Sequence, residues 1–135
     1  MINLVIDTNV VISAALSPTG IPAKIVSLIS SSDKIQLFYS VGIYNEYKKV
    51  LAYEKLKISM DVQNIILKTL KEFGILVAPL ASVMPMPDES DRIFYDTAKL
   101  ANAILVTGNL KHYPKEDFIL SPSEFMQGIE VYDVI

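Results

Sequence analysis

Four carboxylates and one amide stand where polar groups meet apolar segments of this chain. Asp7 closes the run Ile2–Ile6 and is followed by Thr8 and Asn9. Glu46 lies in YSVGIYNEYKKVL, Asp88 and Asp91 are three residues apart in PDESD, and Asn109 follows Thr107 and Gly108. Carboxylates gathered in one place repel one another, so at neutral pH they share protons or bind a cation. With no cysteine and one histidine among 135 residues, the ligands of such a cation would be oxygens, which suit Mg²⁺ or Mn²⁺ rather than a structural zinc. Such an ion lowers the pKa of bound water and stabilises charge on a phosphoryl oxygen, which makes a phosphodiester the natural substrate class.

Each of these residues also has a plainer role open to it. Asp7 could cap the following helix, and Glu46 could pair with Lys49 along a helix face. Asp88 and Asp91 could both be acids favoured by a helix N-terminus. Asn109 could be a left-handed turn residue. Glu89 and Asp96 are expected on a solvated face and His112 on the surface. Tyr44, Tyr47, Tyr53 and Tyr95 fit helix packing better than base stacking. Lys48, Lys49, Lys55 and Lys57 form one basic group, expected to be solvated. Lys111, His112 and Lys115 form a second, beside the loop that carries Asn109, for which a phosphate-contacting role stands level with a solvated surface.

To meet, these residues must be positioned by strands and helices in alternation. Residues 2–6 have the pattern of a buried strand and 8–16 of a helix starting at its tip. After the breaker-rich Ser17-Pro18-Thr19-Gly20, a second helix is expected over about 22–31, with Pro22 in its first turn and Ile25, Val26, Leu28 and Ile29 inward. A strand over 35–38 leads to Ser40, an N-cap for a helix of about 41–53 with Val41, Tyr44, Tyr47, Lys48 and Leu51 on one face. The 59–73 pattern predicts a helix with Ile65, Ile66, Leu70 and Phe73 inward, stopped by Gly74. A strand over 75–78, a proline-bearing loop over 79–90, a helix over about 90–101 and strands over 103–106 and 118–120 follow. Ser121-Pro122-Ser123-Glu124 is a capping box, and 130–135 is expected to be a small strand or a tail. This alternation predicts a three-layer α/β/α sandwich around a parallel sheet of about five strands, in one domain over 1–135. The carboxyl ends of parallel strands, where Asp7 and Thr107 fall, are where such sheets bind ligands.

Composition narrows the class further. The chain is 51% hydrophobic, ample for a sizeable core, yet its apolar runs are strand-length and far short of the roughly 18–20 residues that span a bilayer. The N-terminus lacks the basic and small-residue features of a signal peptide, and the absence of cysteine fits a reducing cytoplasm. The net charge of −3 argues mildly against broad electrostatic capture of nucleic acid. It does not exclude a nuclease whose acids are offset by metal.

Taken together, the segments VIDTNVVISAAL (5–16), YSVGIYNEYKKVL (39–51), PDESDRIFYDTAKLANAILVTGN (87–109) and SPSEF (121–125) resemble the PIN-domain family, especially its single-domain VapC-like toxin members. The resemblance implies a Mg²⁺- or Mn²⁺-dependent endoribonuclease. It makes Asp7, Glu46 and Asp91 the metal-holding acids, with Asn9 and Thr107 lining the pocket and Ser13 and Ser40 as neighbours. It further implies an RNA substrate, an antitoxin protein that blocks the acidic pocket, and a homodimer. Two positions depart from the family pattern. Asn109 stands where relatives commonly have a fourth acid, so it is expected to position water or a phosphate oxygen without adding charge. PDESD replaces a run with adjacent aspartates, and Asp88 is the candidate to supply the displaced charge. Lys111 is expected to meet the RNA backbone. The rival readings are a catalytically weak PIN domain that binds RNA or protein, and a phosphatase or receiver-like domain using Asp7 as phosphoacceptor. The latter fits poorly, because a dehalogenase-type phosphatase needs an acid where Asn9 stands.

Overall fold

A computed structural model describes residues 1–131 of the chain. Five parallel strands form one sheet: β1 (Ile2–Ile6), β2 (Ile35–Tyr39), β3 (Ile75–Leu76), β4 (Ile104–Val106) and β5 (Ile119–Leu120), in the order β3-β2-β1-β4-β5. Six helices join and flank them: α1 (Thr8–Leu16), α2 (Ile21–Ser31), α3 (Val41–Leu51), α4 (Met60–Phe73), α5 (Arg92–Ala101) and α6 (Pro122–Val131). The crossover from β1 to β2 runs across the sheet in the opposite direction to the crossover from β3 to β4. Parallel crossovers are right-handed, so their helices fall on opposite faces. The expected three-layer α/β/α sandwich is the result. α5 lies against β1, β2 and β4, while α2 packs with α1, α4 and α6.

The central strand is the most deeply buried. Leu4, Val5 and Ile6 of β1 are fully enclosed, in register with Ile104, Leu105 and Val106 of β4, and Leu4 pairs with Leu37 of β2 on the other side. A strand buried on both faces reads as a continuous apolar run, which is why INLVI carries little alternation. The caps form as their residues dictate. Ser40 accepts from the Ile43 amide and Ser59 from the Val62 amide. Ser121 and Glu124 exchange hydrogen bonds in a complete capping box.

Several expectations are corrected. α4 turns Ile66, Leu67 and Leu70 inward and leaves Ile65 and Phe73 exposed. The third strand stops at Leu76 rather than 78, and the helix from Ser40 stops at Leu51 rather than 53; its Val41 and Lys48 face solvent and Ile43 takes a core position. A 3-10 turn over Glu89–Asp91 precedes α5. Gly74 ends α4 in extended geometry, not left-handed. It is required for space: a Cβ there would lie 2.5 Å from the Leu70 carbonyl oxygen and 2.7 Å from the Tyr39 ring. Asp96 is not on a solvated face. It is buried, and one of its oxygens accepts from the Ser82 amide, pinning the 79–86 segment to α5. Of the strand or tail expected over 130–135, Glu130 and Val131 belong to α6 and the rest lies outside the described residues. Among the described residues no single helix is long and apolar enough to cross a membrane.

Candidate metal and active site

The strand order reverses between β1 and β4, and the crevice beyond the carboxyl ends of strands at such a switch point is where open α/β sheets place ligands. Asp7 and Thr107 stand there side by side, since the Asp7 amide donates to the Val106 carbonyl at 2.9 Å. The Asp7 side chain is buried and held from several directions. Its Oδ1 accepts from the Thr8 amide at 2.7 Å, and its Oδ2 accepts from the Thr107 hydroxyl at 2.8 Å and the Tyr113 phenol at 2.9 Å. Asp7 therefore caps α1 and also faces the crevice, so the plain and the chemical roles coincide in one side chain. Oδ2 has both lone pairs engaged, whereas Oδ1 has one donor and a lone pair to spare.

Asn9 ties the two strand tips together. Its Oδ1 accepts from the Gly108 amide at 2.8 Å, while its Nδ2 lies 3.4 Å from Asp7 Oδ2 and 3.5 Å from the Thr107 hydroxyl. Gly108 suits this close approach, because a Cβ would come within 3.1 Å of the Asn9 oxygen. Glu46 reaches the site from α3. Its Oε2 accepts from the Thr8 hydroxyl at 2.6 Å, and no Glu46–Lys49 ion pair forms among the described residues. Next to it on α3, Tyr47 is fully buried and donates its phenol to the Ile6 carbonyl, which anchors α3 to the end of β1.

Asp91, in the 3-10 turn before α5, is also buried. Its Oδ2 faces His112 Nδ1 at 3.2 Å, yet no donor is aligned on that atom as a hydrogen bond. The close nitrogen and the missing bond are compatible, because the ring N–H points off the oxygen. Burial first, then the charges of Asp7, Asp88 and Glu46, push the Asp91 carboxyl up to about 6, with His112 pulling the other way. Asp88 is exposed and accepts from the Ser90 amide and hydroxyl at 3.0 and 2.8 Å, and these bonds, the hydroxyl's first, hold its pKa below the usual value. It caps the turn and also faces the site: one ligand-capable atom each of Asp88, Asp91 and His112 lie within 4.8 Å of one another. Asp7 and Glu46 act on Asp91 as charges without joining that tight trio.

The loop after β4 completes the surroundings. The Asn109 amide donates to the Thr107 hydroxyl at 3.0 Å, and its side-chain Nδ2 meets His112 Nε2 at 2.9 Å. Nε2 is then the acceptor, which in the neutral imidazole leaves the proton on Nδ1, the nitrogen near Asp91 but not aligned on its Oδ2. Asn109 thus holds a histidine, a role its expected contact with water or phosphate did not include. Lys111 is exposed and shares with Tyr113 and Lys115 the lining of a cavity of about 570 Å³. Ser40 is buried and uses its hydroxyl as a helix cap, with no hydrogen bond to the acids; Ser13 is exposed on α1.

His112 is on the surface as expected, but its contacts with Asp91 and Asn109 were not foreseen, and Tyr113 carried no expectation at all. Both lie beyond the strand-tip pattern, and the basic group Lys111-His112 beside the loop was the one available signal. The fit to a divalent cation can be judged from the molecule itself. A buried carboxylate oxygen without an aligned donor, a carboxyl whose pKa is raised by burial first and then by neighbouring acids, and a donor set of oxygens with one imidazole fit a hard or borderline divalent ion.

A family model described as "PIN domain" matches residues 3–111. The uncharacterized protein MJ1680 of Methanocaldococcus jannaschii is 37% identical over 111 residues, which cover 80% of this chain and 71% of its own length. The matched region spans Asp7, Glu46, Asp91 and Asn109 and ends just short of His112.

Proposed function

We propose that this chain, which belongs to the PIN-domain family, is a Mg²⁺- or Mn²⁺-dependent endoribonuclease, and that it acts in the cytoplasm as the toxin of a toxin–antitoxin pair. The observation that carries the catalytic reading is the buried Asp91 Oδ2. It has no aligned donor and lies among the charges of Asp7, Asp88 and Glu46. Burying a charge without a partner is costly, and a cation shared by these acids removes the cost.

In this reading Asp7, Glu46 and Asp91 hold the metal, with Asp88 supplying the charge that Asn109 lacks. When bound, the ion supplies the Lewis acidity that lowers the pKa of a water and offsets charge on phosphoryl oxygens. The remaining work falls to the chain's own groups. Thr107 and Tyr113 orient the Asp7 carboxylate, and Thr8 orients Glu46. One oxygen of Glu46 is engaged by Thr8, and in this reading the other would take a proton from the attacking water. Asn109 fixes the His112 ring, and Lys111 meets a phosphate of the RNA backbone.

The partner expectations rest on surface chemistry. An acidic crevice suits a basic antitoxin segment that fills it. β3 lies at an edge of the sheet with Ile75 and Leu76 exposed, near the exposed Phe73 that ends α4. Apolar side chains so placed favour burial against a second copy of a single-domain chain. A second reading, a PIN domain that binds RNA with little cleavage, is favoured by one observation. The side-chain amide of Asn109 is occupied by His112 and adds no charge.

The test is cleavage of a mixed structured-RNA pool by the protein and by Asp7→Asn, with Mg²⁺, Mn²⁺ or EDTA. Asparagine keeps an acceptor for the Thr8 amide but turns an NH2 toward the Thr107 and Tyr113 hydroxyls, so circular dichroism of the variant accompanies the assay. Cutting that needs metal and disappears in Asp7→Asn supports the nuclease. Identical behaviour of the two proteins would overturn it and leave the binding module.

A further inference from the structure

We propose that the hollow between α1 and the turn after α3 is a subsite for one unstacked nucleobase of single-stranded RNA, with Tyr53 as its stacking platform; this rests on the ribonuclease reading above. The hollow has a volume of about 360 Å³, at the small end of ligand pockets and suited to a single planar group rather than a duplex. It is continuous with the acid site, because Thr8 and Asn9 line it while bonding Glu46 and the β4 tip. A nucleotide seated there is therefore next to the phosphate that the acids would address.

Tyr53 is the tyrosine that helix packing does not explain. Tyr47 and Tyr95 are enclosed, but Tyr53 lies beyond the end of α3 and is 39% exposed. Its backbone is held at both ends. Its amide donates to the Val50 carbonyl, and its carbonyl accepts from the Leu56 amide, both at 3.1 Å. An aromatic ring presented on a fixed backbone loses little freedom when a base stacks on it. Ile12 and Leu56 supply the apolar lining, and the exposed Ser13 a hydroxyl for a base edge.

Charge decides which occupant fits. Lys55 Nζ lies 5.9 Å from the Tyr53 ring centroid, and Lys48, Lys49 and Lys57 are exposed on the same short segment. A basic protein segment offering arginine to the ring would meet like charge. A polyanion whose bases stack on aromatics while its phosphates meet lysines is satisfied at both ends.

The test measures binding of a short fluorescein-labelled single-stranded RNA by anisotropy, in an Asp7→Asn background, alongside cleavage kinetics in an otherwise unaltered chain. Mn²⁺ affinity by calorimetry is the control. Tyr53→Ala and Tyr53→Leu should weaken RNA binding by roughly 5–100-fold and raise KM with little change in kcat, while Tyr53→Phe, which keeps the ring, stays within about twofold. Mn²⁺ affinity should be unchanged in all three. RNA binding that survives in Tyr53→Ala and Tyr53→Leu while the parent cuts RNA would overturn the subsite alone. Loss of RNA binding together with Mn²⁺ affinity would also overturn it, as damage to the fold. A parent that neither binds nor cuts RNA would overturn the nuclease reading with it.

Discussion

Replacing Asp91 by asparagine should make the metal-free protein more stable, although it removes a residue proposed to hold metal. The Asp91 carboxyl is pushed from the ordinary 3.8 up to about 6, by burial first and then by Asp7, Asp88 and Glu46. A carboxyl with a raised folded pKa binds its proton more tightly in the native state. The associated stability is fully present below about pH 4 and is lost as pH rises through about 6. A shift of roughly two units at 1.36 kcal/mol per unit sets a ceiling of about 3 kcal/mol. Solvent reaching the rim of the crevice screens this to about 1–2 kcal/mol. Asparagine has the same shape, carries no charge and can turn its oxygen toward His112 Nδ1. In EDTA at pH 7.5, Asp91→Asn should therefore exceed the parent by about 1–2 kcal/mol in urea denaturation, and the two should converge below about pH 4. Saturating Mn²⁺ should reverse the order, because the parent, with one more charged ligand, gains more binding energy in the folded state. A variant less stable than the parent in EDTA at pH 7.5, or a difference that does not change with pH, would refute the view that these carboxylates strain the metal-free fold.

Gly74→Ala should cost about 1–3 kcal/mol in thermal or urea denaturation, because its methyl would sit 2.5 Å from the Leu70 carbonyl oxygen; an unchanged midpoint would mean α4 and Tyr39 shift apart without strain. Tyr113→Phe removes a donor from the buried Asp7 Oδ2 and should lower stability by about 1–3 kcal/mol. It should also reduce kcat for RNA cleavage while leaving KM near its parent value, and an unaltered kcat would remove Tyr113 from the positioning of Asp7. Burial, and then the Asp7 charge, raise the Tyr113 pKa far above the ordinary tyrosine value, so the phenol stays a donor throughout the working range.

The elements most legible in the sequence were those whose ends carry their own chemistry. Asp7 closing an apolar run, Ser40 before a helical pattern and Ser121 with Glu124 each fix a boundary by bonds made within a few residues. What failed depended on distant segments. The inward face of α4 was misjudged because Ile65, Ile66 and Leu67 are consecutive, so periodicity alone does not select among them; packing against α2 and α3 does. Asp96 looked solvated because nothing local shows that Ser82 returns to bond it. Asp7, Asp88 and Asp91 could be named because they sit at a strand tip and a helix start, whereas Glu46, in the middle of α3, was named by the family resemblance. His112 and Tyr113 could not, since their partners Asp91 and Asp7 lie 21 and 106 residues away along the chain. Tyr53 was grouped with packing tyrosines because the end of α3 at Leu51 was placed two residues too late.

The bonds from Asp7 to Thr107 and Tyr113 span 100 and 106 residues, and that span has a consequence for the protein's synthesis. At about 5–20 residues per second on the ribosome, Tyr113 emerges roughly 5–20 s after Asp7. For most of that interval β1 can pair with β2 but has no β4 beside it, and Asp7 lacks first both hydroxyls that orient it and then, once Thr107 is out, that of Tyr113. Fragments released early would carry the first acid but not its supports. On the ribonuclease reading proposed above, the surroundings of Asp7 are complete only once Tyr113 has left the ribosome, more than a hundred residues after the acid itself.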